Sequence, residues 1–264
     1  MNVMRKLKKI ALSNREEMPK PVTWERPYET LRNKWVEVPT TNWEMLRTTD
    51  MLSLPDDALL AKWEETHAAT TTGSEFGLRG WCHVLYEDTL RGKKVMDIGS
   101  GFGVDSIRFA QRGARVTFVD IVESNLAVLK RLCKIMGLTD VQFHFLEDLN
   151  SLRTLDTDYD VIMAMGSLHN APVEVMKPEY QELLRHLKVG GRWLQLAYPK
   201  SLWIQHGRPS FSNWGHQLER SPWEEWYDVP KLLSMFEPAK FDVVLYHEFH
   251  NGQFNWFDLL YRGK

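Results

Sequence analysis

Cysteine is scarce in this 264-residue chain: only Cys82 and Cys133 occur, far apart and outside any Cys-x-x-Cys or Cys/His grouping. A disulfide framework and a zinc module are therefore excluded as organising devices. No apolar run approaches the roughly 18 residues that a membrane helix requires, so no membrane span is expected. The stretch MNVMRKLKKI is basic and amphipathic, but no apolar segment with a small-residue cleavage site follows it. The expectation is a charged helix or tail on a cytoplasmic protein. An excess of one charge is lacking too. Lys and Arg total 33 against 35 Asp and Glu, a formal net charge of −2, which gives no global reason to expect a nucleic-acid partner.

Tryptophan, by contrast, is abundant, with eleven copies. Trp24, Trp35, Trp43, Trp63 and Trp81 lie in the first third, and Trp193, Trp203, Trp214, Trp223, Trp226 and Trp256 in the last. Core packing accounts for many of them, and rings of this size also suit the walls of a substrate cleft. With 43% hydrophobic and 26% charged residues, the chain has the make-up of a globular protein, and its length suits one large domain or one domain carrying a sizeable accessory segment.

Residues 1–50 show no sustained period and read as an arm with short helices. A helix is expected over 55–67 with acids in its first turn, then a Thr/Gly-rich loop over 68–80 and a helix over 81–88. Strand and helix then alternate. Strands are expected at 94–98, 114–119, 141–145, 160–164 and 192–197, with helices at 104–112, 123–136 and 179–187, the last ended by a Val189-Gly190-Gly191 turn. After the fifth strand the alternation breaks at a Pro- and Trp-rich stretch, 199–228, read as a lid or inserted substrate segment. A helix over 229–236 and two strands, 241–247 and 254–261, joined at Asn251-Gly252, complete the pattern. The fold class expected is α/β: a doubly wound, mostly parallel, seven-stranded sheet with an antiparallel C-terminal hairpin. An N-terminal helical arm or cap over 1–80 precedes the main domain over 81–264.

The first strand runs into Asp97-Ile98-Gly99-Ser100-Gly101-Phe102-Gly103 and then a helix. Glycines there permit a tight turn and close approach of a ligand, and the helix start offers unpaired N–H groups. Asp120 closes the second strand about twenty residues on, where an acid accepts hydrogen bonds from ribose hydroxyls; it also suits the N-cap of the next helix. Asp148 follows the third strand at the same sheet edge. Together these fit an adenosine-bearing cofactor. A nicotinamide dinucleotide is the competing reading, but Val104 stands where its fingerprint wants glycine.

In combination, Val95 to Gly103 resembles the first motif of the class I S-adenosylmethionine-dependent methyltransferases. Met165-Gly166-Ser167 resembles the segment that runs along that cofactor, and Leu187 to Gly191 the turn before the fifth strand. The closing hairpin resembles the family's antiparallel seventh strand. The resemblance covers roughly residues 80–262. It implies S-adenosylmethionine as cofactor, held by Asp97, Gly99, Ser100, Gly101, Gly103, Asp120, Ile121, Asp148, Leu149, Met165 and Gly166. In that set Asp120 would take the ribose and Asp148 the adenine amino group, while Asp97 would orient the loop or approach the methionine ammonium.

Methyl transfer to a hydroxyl or protonated amine needs a proton acceptor in line with the transferred group. His169, in Met165 to Pro172 after the fourth strand, is the candidate general base; the alternative is a packing role beneath the cofactor. His247-Glu248-Phe249-His250-Asn251 lacks a dependable third ligand, so no metal is expected. An Asn-Pro-Pro-Tyr-like segment is absent after the fourth strand, which argues against a flipped base as substrate. Trp203, His206, His216, Trp226 and His250 are the candidate substrate residues, tryptophans beside polar groups being suited to a sugar ring; equally, these tryptophans could pin the insertion to the sheet. The expected activity is O-methylation of a sugar or other polyhydroxylated metabolite. N-methylation of a small molecule, or a non-catalytic cofactor-binding module, are the alternatives. The partners expected are a small-molecule methyl acceptor and a second copy of the chain.

Overall fold

A computed structural model describes residues 24–41, 44–211, 213–214 and 224–264. The described part of the arm starts with α1 (Pro27–Lys34), which has Pro27 and Glu29 in its first turn and Arg32 and Lys34 in its last, the ends where each is favoured. Two short strands, β1 (Glu37–Pro39) and β2 (Met45–Arg47), pair antiparallel. They lead to α2 (Thr48–Met51), α3 (Asp56–Thr71), a π-type turn over Phe76–Gly80 and α4 (Trp81–Tyr86).

The alternating region follows as β3 (Lys94–Ile98), α5 (Val104–Gln111), β4 (Arg115–Asp120), α6 (Glu123–Ile135), β5 (Val141–Phe145) and β6 (Tyr159–Met165). Then come α7 (Val173–Leu184), β7 (Leu187–Pro199), α8 (Lys200–Gln205), β8 (Trp226–Tyr227), α9 (Val229–Phe236), β9 (Lys240–Phe249) and β10 (Phe254–Gly263). The main sheet runs β5-β4-β3-β6-β7-β10-β9, with β8 added beside the end of β7 to make eight strands. Pairing is parallel from β5 to β7 and antiparallel on both sides of β10. This is the expected doubly wound sheet, with one two-residue strand more than the seven expected.

Strand side chains alternate between faces, and here they feed two cores. Val95, Val161, Met163, Leu194 and Leu196 join one cluster with Leu59 and Trp63 of α3, Ile107 of α5 and Leu129 of α6. Met96, Ile98, Ile162, Ala164 and Trp193 join the other, with Tyr180 of α7 and Phe236 of α9. Arm residues Val38 and Met51 belong to the first cluster.

Several boundaries depart from expectation. The Thr/Gly-rich stretch expected as a loop over 68–80 is partly helical, α3 running on to Thr71 and the π-type turn covering Phe76–Gly80. Helix α7 starts at Val173 and carries Pro178 inside it, although proline removes one N–H bond and is costly in a helix interior; the buried Met176, Tyr180 and Leu183 hold it in place. Strand β7 already begins at Leu187 and passes through the expected turn. Gly190 there has φ +81° and the register against β6 shifts between Tyr159 and Val161, so the glycines make a bulge rather than a stop.

The turn into α5 depends on Gly103, whose φ is +67°. A Cβ at that position would lie 2.4 Å from Leu129 Cδ2 and 3.1 Å from Ile107 Cδ1. Gly103→Ala is expected to lower stability by about 2–4 kcal/mol, combining left-handed backbone strain with overpacking. Urea denaturation measures it; an unchanged midpoint would remove the steric account of this turn.

Candidate active site

Strand order reverses between β3 and β6, and the loops leaving their C-terminal ends form the crevice in which such sheets bind ligands. The two loops touch. A Cβ on Gly99 would stand 2.5 Å from Ser167 Cβ, and Ser167 Oγ donates to the Ile98 carbonyl at 2.6 Å. Gly99, Gly101 and Gly103 all have positive φ, the conformation that coils the chain tightly and leaves room above the backbone.

Asp120, at the tip of β4, is buried and faces this loop. Its carboxylate accepts from Gly101 N at 2.9 Å, Val122 N at 2.8 Å and Asn125 Nδ2 at 3.2 Å. Burial pushes its pKa up, and those three donors oppose the shift. The loop contact is thus present, while the N-cap position of α6 is Val122, so Asp120 braces the turn ahead of the helix and is not its N-cap. Asp97 is buried, where lack of water pushes its pKa up to about 7 against the Ser106 hydroxyl that bonds it; Ser100 Oγ donates to the Asp97 carbonyl. The Asp97 side chain is therefore engaged with the first turn of α5. Beside it, burial alone would raise Asp105, but Arg79 and His83 bind its two oxygens and hold it at about 2.

Asp148 is exposed and accepts from Asn150 N and Ser151 N, capping a short turn. Ile121 and Leu149 pack at the rim of the second core cluster, as do Trp24 and Tyr28. Met165 ends β6 and Gly166, with φ +77°, begins its loop. The residues fit an adenosine-bearing group: a cradle that a Cβ would fill, one buried acid at its lip, and a second acid with apolar neighbours beyond it.

His169 lies under this loop. Its ring is buried, edge-on to Tyr198 at 4.8 Å, and its Nδ1 has no hydrogen-bond partner. Burial, reinforced by the nearby Lys34, lowers its pKa to about 3, a contact with the Leu196 carbonyl acting the other way. Taking up a proton there is disfavoured, which counts against the expected general base.

The candidate substrate tryptophans contact one another. Trp203 stacks on Trp226 with centroids 5.0 Å apart, Lys231 Nζ sits 3.7 Å from the Trp226 centroid and Lys200 Nζ 5.1 Å. Trp203 Nε1 donates to the Pro209 carbonyl, and Trp214 Nε1 to His206 Nδ1. These contacts tie parts of the insertion to one another and, through Lys231, to α9. His250 sits in the β9–β10 turn with φ +52°, and His216 lies outside the described residues. Among the described residues no group of three or more His, Cys, Asp or Glu side chains is arranged to hold a metal, and no helix is long and apolar enough to cross a membrane.

What sequence reasoning missed is the arm. Arg32 donates to the Glu147 carbonyl after β5, Tyr28 to Glu179 on α7, and Lys34 Nζ to Asn170 Oδ1 at 2.9 Å. Val38 lies 3.7 Å from the Cβ position of Gly101, and Trp24 meets Phe211 of the insertion edge-on at 6.1 Å. Burial lowers the Lys34 pKa to about 7, with Glu224 opposing. Burial likewise raises Glu179 to about 7, against the Tyr28 hydrogen bond. Short helices were expected within residues 1–50, but nothing in the order of residues told where α1 would lie or which loops it would cross.

Comparison with known proteins agrees with this geometry. Residues 95–191 match the family model of a methyltransferase domain. A ubiquinone biosynthesis O-methyltransferase of Pseudomonas entomophila is 34% identical over 84 residues, which span 32% of this chain and only 36% of that relative. The magnesium protoporphyrin IX methyltransferase of Synechocystis PCC 6803, solved with bound S-adenosylhomocysteine, superposes with a TM-score of 0.50 at 17% identity over 69% of this chain and 79% of its own. A SAM-dependent methyltransferase from Methanosarcina mazei gives 0.53 at 16% identity over 68% and 96%. At such identities the structures speak for the fold alone. The matched domain, the motif at its first loop and the strand order agree: residues 95–191 carry a methyltransferase-type domain, and the fold is similar to that of S-adenosylmethionine-dependent methyltransferases.

Proposed function

We propose that the chain transfers a methyl group from S-adenosylmethionine to a hydroxyl group of a small molecule. The observation that carries this reading is the pair of touching loops at Gly99 and Ser167, with Asp120 at its lip and the arm across it. Gly99 to Gly103 and Ser100 would hold the methionine end, Asp120 the ribose hydroxyls, and Asp148, Ile121 and Leu149 the adenine. Met165 and Gly166 would flank the cofactor between them. The bound cofactor supplies an activated methyl group on sulfur. The protein's share is to orient the acceptor, exclude water and take the acceptor's proton.

The O-methyltransferase names of the matched relatives support a hydroxyl acceptor. A sugar has less support, because Trp203 and Trp226 stack on each other and Lys231 and Lys200 lie over the Trp226 ring. N-methylation stands second, since an amine that binds neutral needs no proton acceptor. His169 is read here as a neutral packing group against Tyr198.

Isothermal titration of the full chain with S-adenosylmethionine and with S-adenosylhomocysteine tests the reading, and absence of binding by both would sink it. Asp120→Ala is expected to weaken either ligand about 10- to 100-fold, the range of a lost hydrogen bond to a charged group. Near-normal affinity in that variant would remove Asp120 from the ribose.

The His169 reading has its own test. An unfolded histidine titrates near about 6.5, whereas folded His169 takes a proton only at about 3. Between these values the unfolded state holds the extra proton, so stability is present above the window and declines as pH falls through it. His169→Phe is expected to lose less stability than wild type between about pH 7 and about pH 5, as read by denaturant midpoints. Equal losses would contradict a buried neutral imidazole.

A further inference from the structure

We propose that the arm completes the cofactor site, and that the half-buried ring of Tyr28 on α1 is the surface on which the adenine of S-adenosylmethionine lies. This rests on the methyltransferase reading above and adds to it a binding residue from outside the matched domain.

The arm is seated at three points around one notch. Tyr28 and Arg32 stand four residues apart in α1 and so share one face of that helix. At one end of the face, Arg32 Nη1 donates to the Glu147 carbonyl at 3.1 Å, with its guanidinium 5.8 Å from the centre of the Phe145 ring. At the other end, the Tyr28 hydroxyl donates to Glu179 Oε2 on α7 at 3.0 Å. One turn of helix therefore bridges the loop after β5 and α7, and Asp148 is the residue next to the Arg32 contact. Burial and the Glu179 carboxylate push the pKa of the Tyr28 hydroxyl up; the Asp148 carboxylate adds to this and the Arg32 guanidinium opposes it, so the four groups lie close together. Further along the arm, Val38 reaches the glycine loop, 3.7 Å from the Cβ position of Gly101.

What the notch offers matches a purine. Ile121 after β4, Phe145 at the end of β5, Leu149 and the Tyr28 ring are apolar groups that are each only half-buried. Asp148 stands among them with its two oxygens used unequally. Its Oδ1 accepts from Asn150 N and Ser151 N, and its Oδ2 has no hydrogen-bond partner among the described residues. A flat ring gains from apolar and aromatic walls, and an exocyclic amino group needs an acceptor at its edge. The Tyr28 hydroxyl is already engaged with Glu179, so what Tyr28 brings to a ligand is the face of its ring. Stacking of a base on an aromatic side chain is worth about 5- to 100-fold in affinity.

Three readouts on the full-length chain with S-adenosylhomocysteine decide this. In perdeuterated protein with protonated tyrosine rings, Overhauser contacts from adenine H2 or H8 to one tyrosine are expected. They should vanish in Tyr28→Phe made with deuterated phenylalanine. A loaded sample without such contacts, or one in which they survive the substitution, overturns the proposal. By calorimetry, Tyr28→Leu is expected to bind S-adenosylhomocysteine and adenosine about 5- to 100-fold more weakly, and Tyr28→Phe, which keeps the ring, to bind both nearly as wild type does. Equal affinity in wild type and Tyr28→Leu overturns the proposal. A loss in Tyr28→Phe as large as in Tyr28→Leu does so too, because it assigns the effect to the Glu179 hydrogen bond. Hydrogen exchange reads the arm itself: the amides of α1 are expected to exchange more slowly once the ligand is bound, and unchanged exchange in loaded protein overturns the proposal.

In each of these failures the ligand still binds and the methyltransferase reading survives. A wild type that binds neither S-adenosylmethionine nor S-adenosylhomocysteine overturns that reading and this proposal with it.

Discussion

The loops leaving β3 and β6 can touch only because residue 99 carries no side chain. Gly99 brings Ser167 to a distance that any Cβ would forbid, and Ser167 closes the contact by bonding back to the Ile98 carbonyl. Everything at the strand ends is referred to that junction. Asp120 holds the glycine loop from the β4 side through Gly101 N. Asn170 holds the other loop through Gly166 and Ser167 and, through its oxygen, positions the arm.

Charge is handled differently on the two sides of this junction. Beneath α5, Asp105 is buried but carries Arg79 and His83 on its two oxygens, so it stays ionised. Asp97, one turn of chain away, has a serine hydroxyl instead of a cation and is pushed up. On the arm side, Lys34 and Glu179 are both drawn towards neutrality by burial. Unpaired buried charge is costly, and groups shift their protonation to avoid it. A structural ion pair therefore holds α5 on one side, while on the arm side Lys34 and Glu179 lie beside neutral hydrogen-bond partners.

Legibility in the sequence followed the range of the forces involved. The glycine loop and Asp120 were readable because backbone geometry dictates both residue types locally. The β9–β10 turn was readable for the same reason, with His250, Asn251 and Gly252 all at positive φ. Helix α7 was cut short in the reading because Pro178 carries a local penalty that only the tertiary contacts of Tyr180 and Leu183 outweigh. Trp203 and Trp226 were read as a ligand platform because a sequence does not say whether a ring will meet a ligand or another ring. Lys34 was invisible for a related reason: its neighbours Asn170 and Glu224 lie more than a hundred positions away in the chain.

The shared core has a consequence for how this protein can be divided. Val38, Met51, Leu59, Trp63 and Leu78 lie in one apolar cluster with Val95, Ile107, Leu129 and Trp256. Tyr86 and Trp256 are further joined through a hydroxyl that also meets Asp258. The segment that matches the methyltransferase family, residues 95–191, contains neither these flanking side chains nor strands β9 and β10. Expressed alone, it would present one face of its sheet bare to solvent and, because it stops inside β7 before most of that strand's pairing, the edge of β6 as well. The unit of recognition is thus smaller than the unit of folding, and the arm belongs to the latter.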